Sequence, residues 1–306
     1  KMKQKKEATI FATACDKVKG FSALMDKFRK NLSVAGKSES TFRNYSLHIA
    51  TMALHFERLP TLLEEDQITD YLYLLQQQHN TPSRSYFKHT VYGLRAIFKI
   101  EGIKSCDIKL PSIKKSNKLP VVLSKEEVKS LLKAPELLKH RILLGLLYEC
   151  GLRCFEVRNI KLSDIDYDRS KLHVRLGKGK KDRYLPIGEH IKRGIRKYIL
   201  AENPEVYLFN GQPMEDGSGG DFDRRYSQRG VQWAVKQACK KAKITKEVSV
   251  HTLRHTYATH LVEDGLDIVT VKDLMGHENI ETTMIYLQLA QSGRIKPFGP
   301  LDRLYQ

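Results

Sequence analysis

The chain has 306 residues, 41% of them hydrophobic, and its 53 lysines and arginines against 35 aspartates and glutamates give a formal net charge of +18. This length suggests two domains of ordinary size, and the apolar content excludes a chain without packed cores. The basic surface attracts polyanions, for which nucleic acid is the default candidate and a merely soluble basic protein the alternative.

The spacing of the cysteines and the hydropathy pattern indicate in which cellular compartment the protein is expected. Five cysteines are scattered along the chain without CxxC spacing, and Cys150 and Cys154 lie in what reads as a buried helical region. This usage is typical of the reducing cytoplasm. No apolar run is long enough to span a bilayer and no signal peptide is visible, so we expect no membrane partner.

The N-terminal third predicts a helical domain over residues 18–106, after a basic arm at 1–17 that gives no clear pattern. Four amphipathic helices are predicted, at about 21–35, from 38 or 40 to 60, at 65–78, and from 81 onward. Their polar faces carry Lys27, Arg29, Lys30, Lys37, Arg43, Arg84, Lys88 and Arg95. Singly these residues read as solvated helix faces, but as a cluster they suggest a surface laid against phosphates.

A linker is predicted over residues 107–120, which hold two prolines and four lysines without helical periodicity. The second domain, predicted over 121–290, opens with a capping-box pattern at Ser124 and Glu127, followed by a nearly all-apolar helix at about 137–150. Alternating segments at 171–176 and 184–187, joined by a turn at 177–182, predict a β-hairpin. Helices at about 189–199 and 229–241, a short strand at 206–209 and a glycine-rich loop complete this part.

The segment from His251 to Tyr286 is the most informative, and it reads HTLRHTYATHLVEDGLDIVTVKDLMGHENIETTMIY. His251 and Arg254 are three residues apart, so a helix would project both to one face. A second short helix is predicted at 268–275, and His277 follows the glycine that ends it. Tyr286 lies in a further apolar-periodic segment that opens at residue 281.

These motifs resemble the C-terminal signature of the tyrosine recombinases, the phage-integrase family: HxLRHxxAT, then LMGH, then TTxxY with its tyrosine nine residues after His277. Upstream, the segments Gly151–Glu156 (GLRCFE) and Gly177–Arg183 (GKGKKDR) resemble the boxes that hold the family's first arginine and its hairpin lysine. The resemblance implies a mainly α fold with a small β-sheet. It comprises a four-helix, SAM-like core-binding domain and a mixed α/β catalytic domain.

By this resemblance Arg153 and Arg254 hold the phosphate, a task that suits the planar, permanently charged guanidinium. Tyr286 is the expected nucleophile, and a phenol with an ordinary pKa of about 10 needs a base or strong positive charge nearby. His251 assists its deprotonation and His277 stabilises the transition state.

Two further positions complete the predicted site. The resemblance selects Lys178 over Lys180 and Lys181 as general acid for the departing 5′ oxygen, because the family's lysine lies in the GKG. Glu156 is expected to hold Arg153 or to pair with a neighbouring basic group. His255 and Tyr257 read as packing or orientation residues.

The reaction implied is cleavage and rejoining of DNA through a 3′-phosphotyrosyl intermediate and a Holliday junction, without metal, ATP or other cofactor. The implied partner is double-stranded DNA with inverted-repeat sites, in the nucleoid of the cytoplasm. The implied assembly is a homotetramer on two such sites, in which the tail at 291–306 makes contacts between protomers. Phage integration, transposition, inversion and dimer resolution all remain open.

Three alternatives stay beside this interpretation. A type IB topoisomerase shares the catalytic set, and a DNA-binding regulator descended from recombinases would have lost it. Helical metal ligation by His251, His255 and His260 is the third, although no glutamate lies between the first two as in HExxH.

Overall fold

The structure is a computed structural model, which describes residues 9–77, 83–103, 108–111, 119–175, 182–211 and 224–294, with side chains described up to residue 290 in the last range. It divides into two compact units, residues 1–117 and 118–306. The division falls inside the segment predicted as a linker, and the domain limits drawn from the sequence stay a prediction.

The described part of the first unit contains five α-helices: α1 (Ile10–Lys17), α2 (Phe21–Val34), α3 (Glu39–Phe56), α4 (Glu65–Gln77) and α5 (Arg84–Glu101). Helices α2 to α5 correspond to the four predicted from periodicity. Helix α1 lies in the basic arm, for which no element was predicted, and it begins where the Thr9 hydroxyl accepts from the amide of Ala12. The largest buried side chains of this unit are Phe21, Met25, Phe28, Ile49, Met52, Ile68, Phe87, Leu94 and Ile97.

Three of the basic residues predicted to face phosphates have partners within this unit. Lys27 pairs with Glu101 at 2.8 Å, Arg29 pairs with Glu39 at 2.7 Å, and Arg95 donates to the carbonyl of Ile108. The two exposed ion pairs contribute at most about 1 kcal/mol each, so exchanging them for phosphates would cost little. The DNA-facing role of this surface stays a prediction.

The second unit combines helices with a small sheet. Its described helices are α6 (Lys125–Lys133), α7 (Leu138–Glu149), α8 (Cys154–Arg158), α9 (Glu189–Glu202), α10 (Gln228–Lys241), α11 (Val250–Glu263), α12 (Ile268–Met275) and α13 (Glu281–Arg294). Strands β1 (Ile165–Asp166), β2 (Lys171–Val174) and β3 (Arg183–Pro186) form an antiparallel sheet in the order β1-β2-β3. The architecture is therefore mainly helical with one small sheet, as predicted.

Two elements of this unit are the least exposed. Helix α7 contributes Leu143, Leu144, Leu146 and Leu147, all fully buried. Helix α11 packs against α7, α12 and α13 and is buried over most of its length, including its polar residues. A helix buried on several sides holds its polar groups in fixed positions, because each must find a partner.

The structure corrects the prediction of a strand at 206–209. Tyr207 and Asn210 form only isolated bridges, with Lys161 and Arg225, and no regular strand. The side chains of Leu208 and Phe209 are fully buried. The apolar run that suggested a strand therefore belongs to a loop whose side chains pack into the core of the second unit.

Several predicted features lie outside the described residues: the hairpin turn with Lys178, most of the glycine-rich loop, most of the linker and the end of the C-terminal tail. Within the described ranges, none of the helices combines the length and the apolar character that crossing a bilayer requires.

Candidate active site

The turn after α7 introduces the first arginine. Gly151 has φ = +55°, and a Cβ at this position would lie 2.3 Å from Cδ1 of Tyr257. Only glycine meets both conditions without displacing the buried ring. The turn allows the Gly151 carbonyl to accept from Arg254 at 2.6 Å and places Arg153 at the N-cap of α8.

Glu156, in the first turn of α8, is the carboxylate around which the site is built. Its oxygens accept from the backbone amide and Nη1 of Arg153, at 2.8 and 2.7 Å, and from Nη1 and Nη2 of Arg183, both at 2.9 Å. Burial opposes ionisation, but the hydrogen bonds and charges of Arg183 and then Arg153 outweigh it and lower the pKa of Glu156 to about 2. Glu156 is therefore ionised and holds two arginines.

Arg254 is the most deeply buried of the three arginines, with 3% of its surface exposed. Its Nη1 is 4.0 Å from Glu156 Oε2. Burial and the charge of Arg153 lower the pKa of Arg254 to about 10, which still leaves it charged at neutral pH. With Arg153 and Arg183 this makes three guanidinium groups around one carboxylate, an excess of two positive charges in a largely buried position. Because unbalanced buried charge is costly, the arrangement favours a bound anion.

The same three arginines meet the C-terminal end of α12. Nε of Arg183 donates to the carbonyl of Leu274 at 2.9 Å, Arg254 donates to the carbonyl of Met275, and Arg153 donates to the carbonyl of Gly276 at 3.3 Å. The last carbonyls of a helix lack intrahelical partners and carry partial negative charge, so cations stabilise them. This end of α12 thus orients all three guanidinium groups.

His277 follows this end directly, after Gly276, which takes the left-handed conformation at φ = +60°. Its Nδ1 hydrogen-bonds the buried hydroxyl of Thr283 at 3.0 Å, and its ring stacks at 6.3 Å on that of Tyr286. The Thr283 bond fixes the orientation of the ring.

Tyr286 lies on α13 with only 2% of its surface exposed. Its hydroxyl hydrogen-bonds Nδ1 of His255 at 3.0 Å. Burial raises the pKa of this phenol, while the charges of Arg254 and Arg153 act in the opposite direction. The protein therefore holds a protonated phenol beside a histidine, and the charges of two guanidinium groups act on it.

His251 lies one helical turn before His255 on α11, on the exposed side. Burial of its ring and the charges of Arg254 and Arg153 lower its pKa, and burial with the charges of His251 and Arg254 lowers the pKa of His255. Both imidazoles are therefore neutral at pH 7 and able to accept a proton.

The structure thus brings together five of the six predicted catalytic side chains with the supporting Glu156, while Lys178 lies outside the described residues. Sequence reasoning missed the contacts of two others. Arg183 ends the quoted GKGKKDR box but was given no role, and His255 was considered a packing or orientation residue. The alternation of the hairpin, which turns Arg183 inward, was the available signal for the first.

Among the described residues, no group of three or more histidine, cysteine, aspartate or glutamate side chains is placed to hold a metal ion. His260 is engaged by the Tyr148 hydroxyl at 2.9 Å and the Leu123 carbonyl at 3.0 Å. His260 therefore fixes the position of α11 against Tyr148 and Leu123.

Sequence comparisons give two family matches. The profile of the phage integrase family matches residues 121–292, and that of the phage integrase N-terminal SAM-like domain matches residues 24–100. A putative integrase/recombinase of Sinorhizobium fredii is 32% identical over 290 residues, covering 92% of this chain and 89% of that protein. Tyrosine recombinase XerA of Thermococcus kodakarensis is 34% identical over 269 residues, covering 87% and 90%.

Solved structures give the same fold. The XerH site-specific recombinase bound to palindromic difH substrate, a post-cleavage complex, has a TM-score of 0.66 at 21% identity and covers 93% of this chain and 87% of its own. The Tn1549 transposon integrase in complex with circular intermediate DNA has a TM-score of 0.62 at 17% identity, with coverage of 86% and 94%. At these identities the likeness concerns the fold.

Proposed function

The chain belongs to the phage integrase family and is a tyrosine-type site-specific recombinase that acts on DNA, and on this premise we propose how its residues carry out strand exchange. The family and fold class predicted from the sequence, including the SAM-like N-terminal domain, are confirmed. The observation that carries the mechanism is the excess of positive charge around Glu156, next to the phenol of Tyr286.

The scissile phosphate binds to Arg153 and Arg254. Both guanidinium groups already use some of their donors on Glu156 or on the carbonyls at the end of α12, so their orientation is fixed before DNA arrives. Preorganised donors stabilise the charge that develops on the non-bridging oxygens without reorganisation during the reaction. His277 adds a further donor to the same oxygens.

The covalent step exchanges one ester bond for another. The Tyr286 oxygen forms a bond to phosphorus, the bond from phosphorus to the 5′ oxygen breaks, and the phenol proton passes to a histidine. Lys178 gives a proton to the departing 5′ oxygen. A 3′-phosphotyrosyl ester and a free 5′-hydroxyl result, and attack by the 5′-hydroxyl of a partner strand reverses the reaction. Because the ester retains the bond energy, no ATP is consumed.

Tyr286 must reach the phosphate from a position in which only 2% of it is exposed. We propose that DNA binding moves α13 or draws the phosphate inward. The hydrogen bond to His255 holds the phenol until then. Two histidines are therefore candidates for the proton acceptor: His251, from the family resemblance, and His255, from the contact in the free protein.

Substituting these histidines separates their roles. We expect His251→Ala to slow single-turnover cleavage by about a hundredfold or more, the range for a lost general base, and His255→Ala to slow it by about tenfold because it orients the phenol. Both pKa values are lowered from 6.5, so wild-type cleavage should stay constant from pH 8 to 7 and fall only below pH 6.5, where the acceptor becomes protonated. Cleavage rates across pH 5.5–8 provide the measurement; a larger loss for His255→Ala would make His255 the acceptor.

The partners proposed are duplex DNA with inverted-repeat sites and a homotetramer that holds two sites. The palindromic substrate of the XerH complex and the transposon DNA of the Tn1549 complex support the first for this family. Contacts between protomers are assigned to residues 291–306, by the family resemblance.

A nicked duplex tests the proposed function. The nick lets a short 5′-hydroxyl fragment diffuse away after cleavage, so the phosphotyrosyl adduct accumulates. We expect an adduct stable to denaturant, joining between two labelled sites in a four-protomer complex, and no effect of EDTA. Joining without pairing of sites, with relaxation of any supercoil, would indicate a topoisomerase. Binding without adduct would indicate a regulator, and loss in EDTA restored by a divalent ion would indicate a metal.

A further inference from the structure

Arg183 has a full set of partners in the site, although it carries no role in the proposed reaction. It opens β3, and its side chain is 11% exposed. Each of its three guanidine nitrogens has an acceptor at 2.9 Å: the two oxygens of Glu156 and the carbonyl of Leu274. A bidentate pair of this kind is among the strongest hydrogen-bonded contacts in proteins. Arg183 is therefore directed at the carboxylate and at the end of α12.

The charge balance shows what this contact changes. Three arginines and one glutamate leave an excess of two positive charges. Arg183 supplies a hydrogen bond to each oxygen of Glu156, whereas Arg254 lies 4.0 Å from the nearer one. Without Arg183 the whole carboxylate charge would fall on Arg153 and Arg254. The excess would then be one, and both remaining guanidinium groups would be drawn toward Glu156.

The same contact joins separate parts of the chain. Arg183 connects the sheet to α8 through Glu156 and to α12 through Leu274, and α12 ends immediately before His277. Gly276 permits the close approach, since a Cβ there would lie 3.3 Å from the Arg183 side chain. The residue therefore connects β3 directly to the end of α12.

We propose that Arg183 is a positioning residue of the recombinase. It neutralises Glu156 and fixes it to the end of α12, and thereby leaves Arg153 and Arg254 charged, oriented and available to the scissile phosphate. This inference rests on the proposed function, because it assumes that those two arginines bind the phosphate.

A double-substitution cycle tests the charge argument. Arg183→Gln reduces the excess charge from two to one, and Arg183→Gln combined with Glu156→Gln restores it to two. We expect Arg183→Gln to slow single-turnover cleavage of the nicked duplex by about a hundredfold, the range for a lost donor in a preorganised site. The double variant should recover at least about tenfold of this loss. Arg183→Lys should lie between, because one ammonium cannot serve two oxygens and a carbonyl.

Binding and folding controls make the result decisive. Binding to uncleavable duplex should change little in Arg183→Gln, because the proposal gives Arg183 no contact of its own with a phosphate. Arg158→Gln, at a buried arginine whose Nε donates to the Tyr226 carbonyl at 2.8 Å, is the matched control and should cleave at nearly the wild-type rate. If Arg183→Gln fails to fold, Arg183→Met and its combination with Glu156→Gln give the same comparison, because methionine also removes the charge and the double variant restores the excess to two.

Two outcomes would overturn the proposal: wild-type cleavage by Arg183→Gln, or a double variant no faster than the single one. The second would mean that Arg183 acts only as structural support. Wild-type protein that forms no adduct would instead refute the proposed function, so the two failures are distinguishable.

Discussion

Tyr286→Phe is expected to abolish the covalent protein–DNA adduct and to leave DNA binding intact. The substitution removes only the oxygen that attacks phosphorus. The ring can still stack on His277 and fill the same buried space between α11 and α13. The lost hydrogen bond to His255, 3.0 Å long, should reduce the free energy of unfolding by about 1 kcal/mol. Denaturing gels of the nicked-duplex reaction detect the adduct, and a gel-shift titration measures binding.

The matched control is Tyr198→Phe. Tyr198 is also 2% exposed but lies on α9, in the core around α7. This variant loses a phenol oxygen from an equally buried position and should form the adduct at the wild-type rate. An adduct that persists in Tyr286→Phe would show that another residue is the nucleophile. Loss of adduct in both variants would point to a folding defect.

The local elements of the site were predictable from the sequence because local chemistry determines them. Helix α12 was predicted with the bounds observed, Ile268–Met275. The glycine after it takes a positive φ, which residues with a side chain rarely adopt. This glycine therefore predicts where the helix ends. The spacing from His277 to Tyr286 then brings a turn and the next helix together, and the two rings stack.

The pairing of Glu156 with Arg153, three residues apart, was predicted, but most other partners of the site residues were not predictable, because they come from distant parts of the chain. The end of α12 receives Arg153, Arg183 and Arg254, which lie 123, 91 and 21 residues away from the carbonyls they contact. The periodicity of a single segment does not predict contacts between such distant residues. The predicted strand at 206–209 failed for a related reason. Its buried apolar residues match the pattern of a strand. A strand also needs a neighbouring strand with which to form a ladder of backbone hydrogen bonds, and only isolated bridges form there.

Arg254→Lys is expected to reduce single-turnover cleavage by on the order of a thousandfold. Arg254 uses two nitrogens for the carbonyls of Gly151 and Met275, and its charge faces the proposed phosphate site. A lysine ammonium is a single point that cannot reach both carbonyls and a phosphate oxygen together. Losing one preorganised donor to the charge of a transition state costs about a hundredfold to a thousandfold in rate, and the displaced carbonyl contacts add to this loss. Rates are measured at saturating protein on the nicked duplex.

Arg158→Lys separates the loss of catalysis from the loss of a buried guanidinium. Arg158 is 9% exposed against 3% for Arg254, and it also donates to a backbone carbonyl, through Nε. Both variants should lose stability in thermal unfolding, since each lysine fails to reproduce the planar donors. Only Arg254→Lys should lose cleavage by orders of magnitude. Equal losses in both would mean that Arg254 supports the fold without touching the phosphate. The two positive charges in excess around Glu156 would then need another anion to account for them.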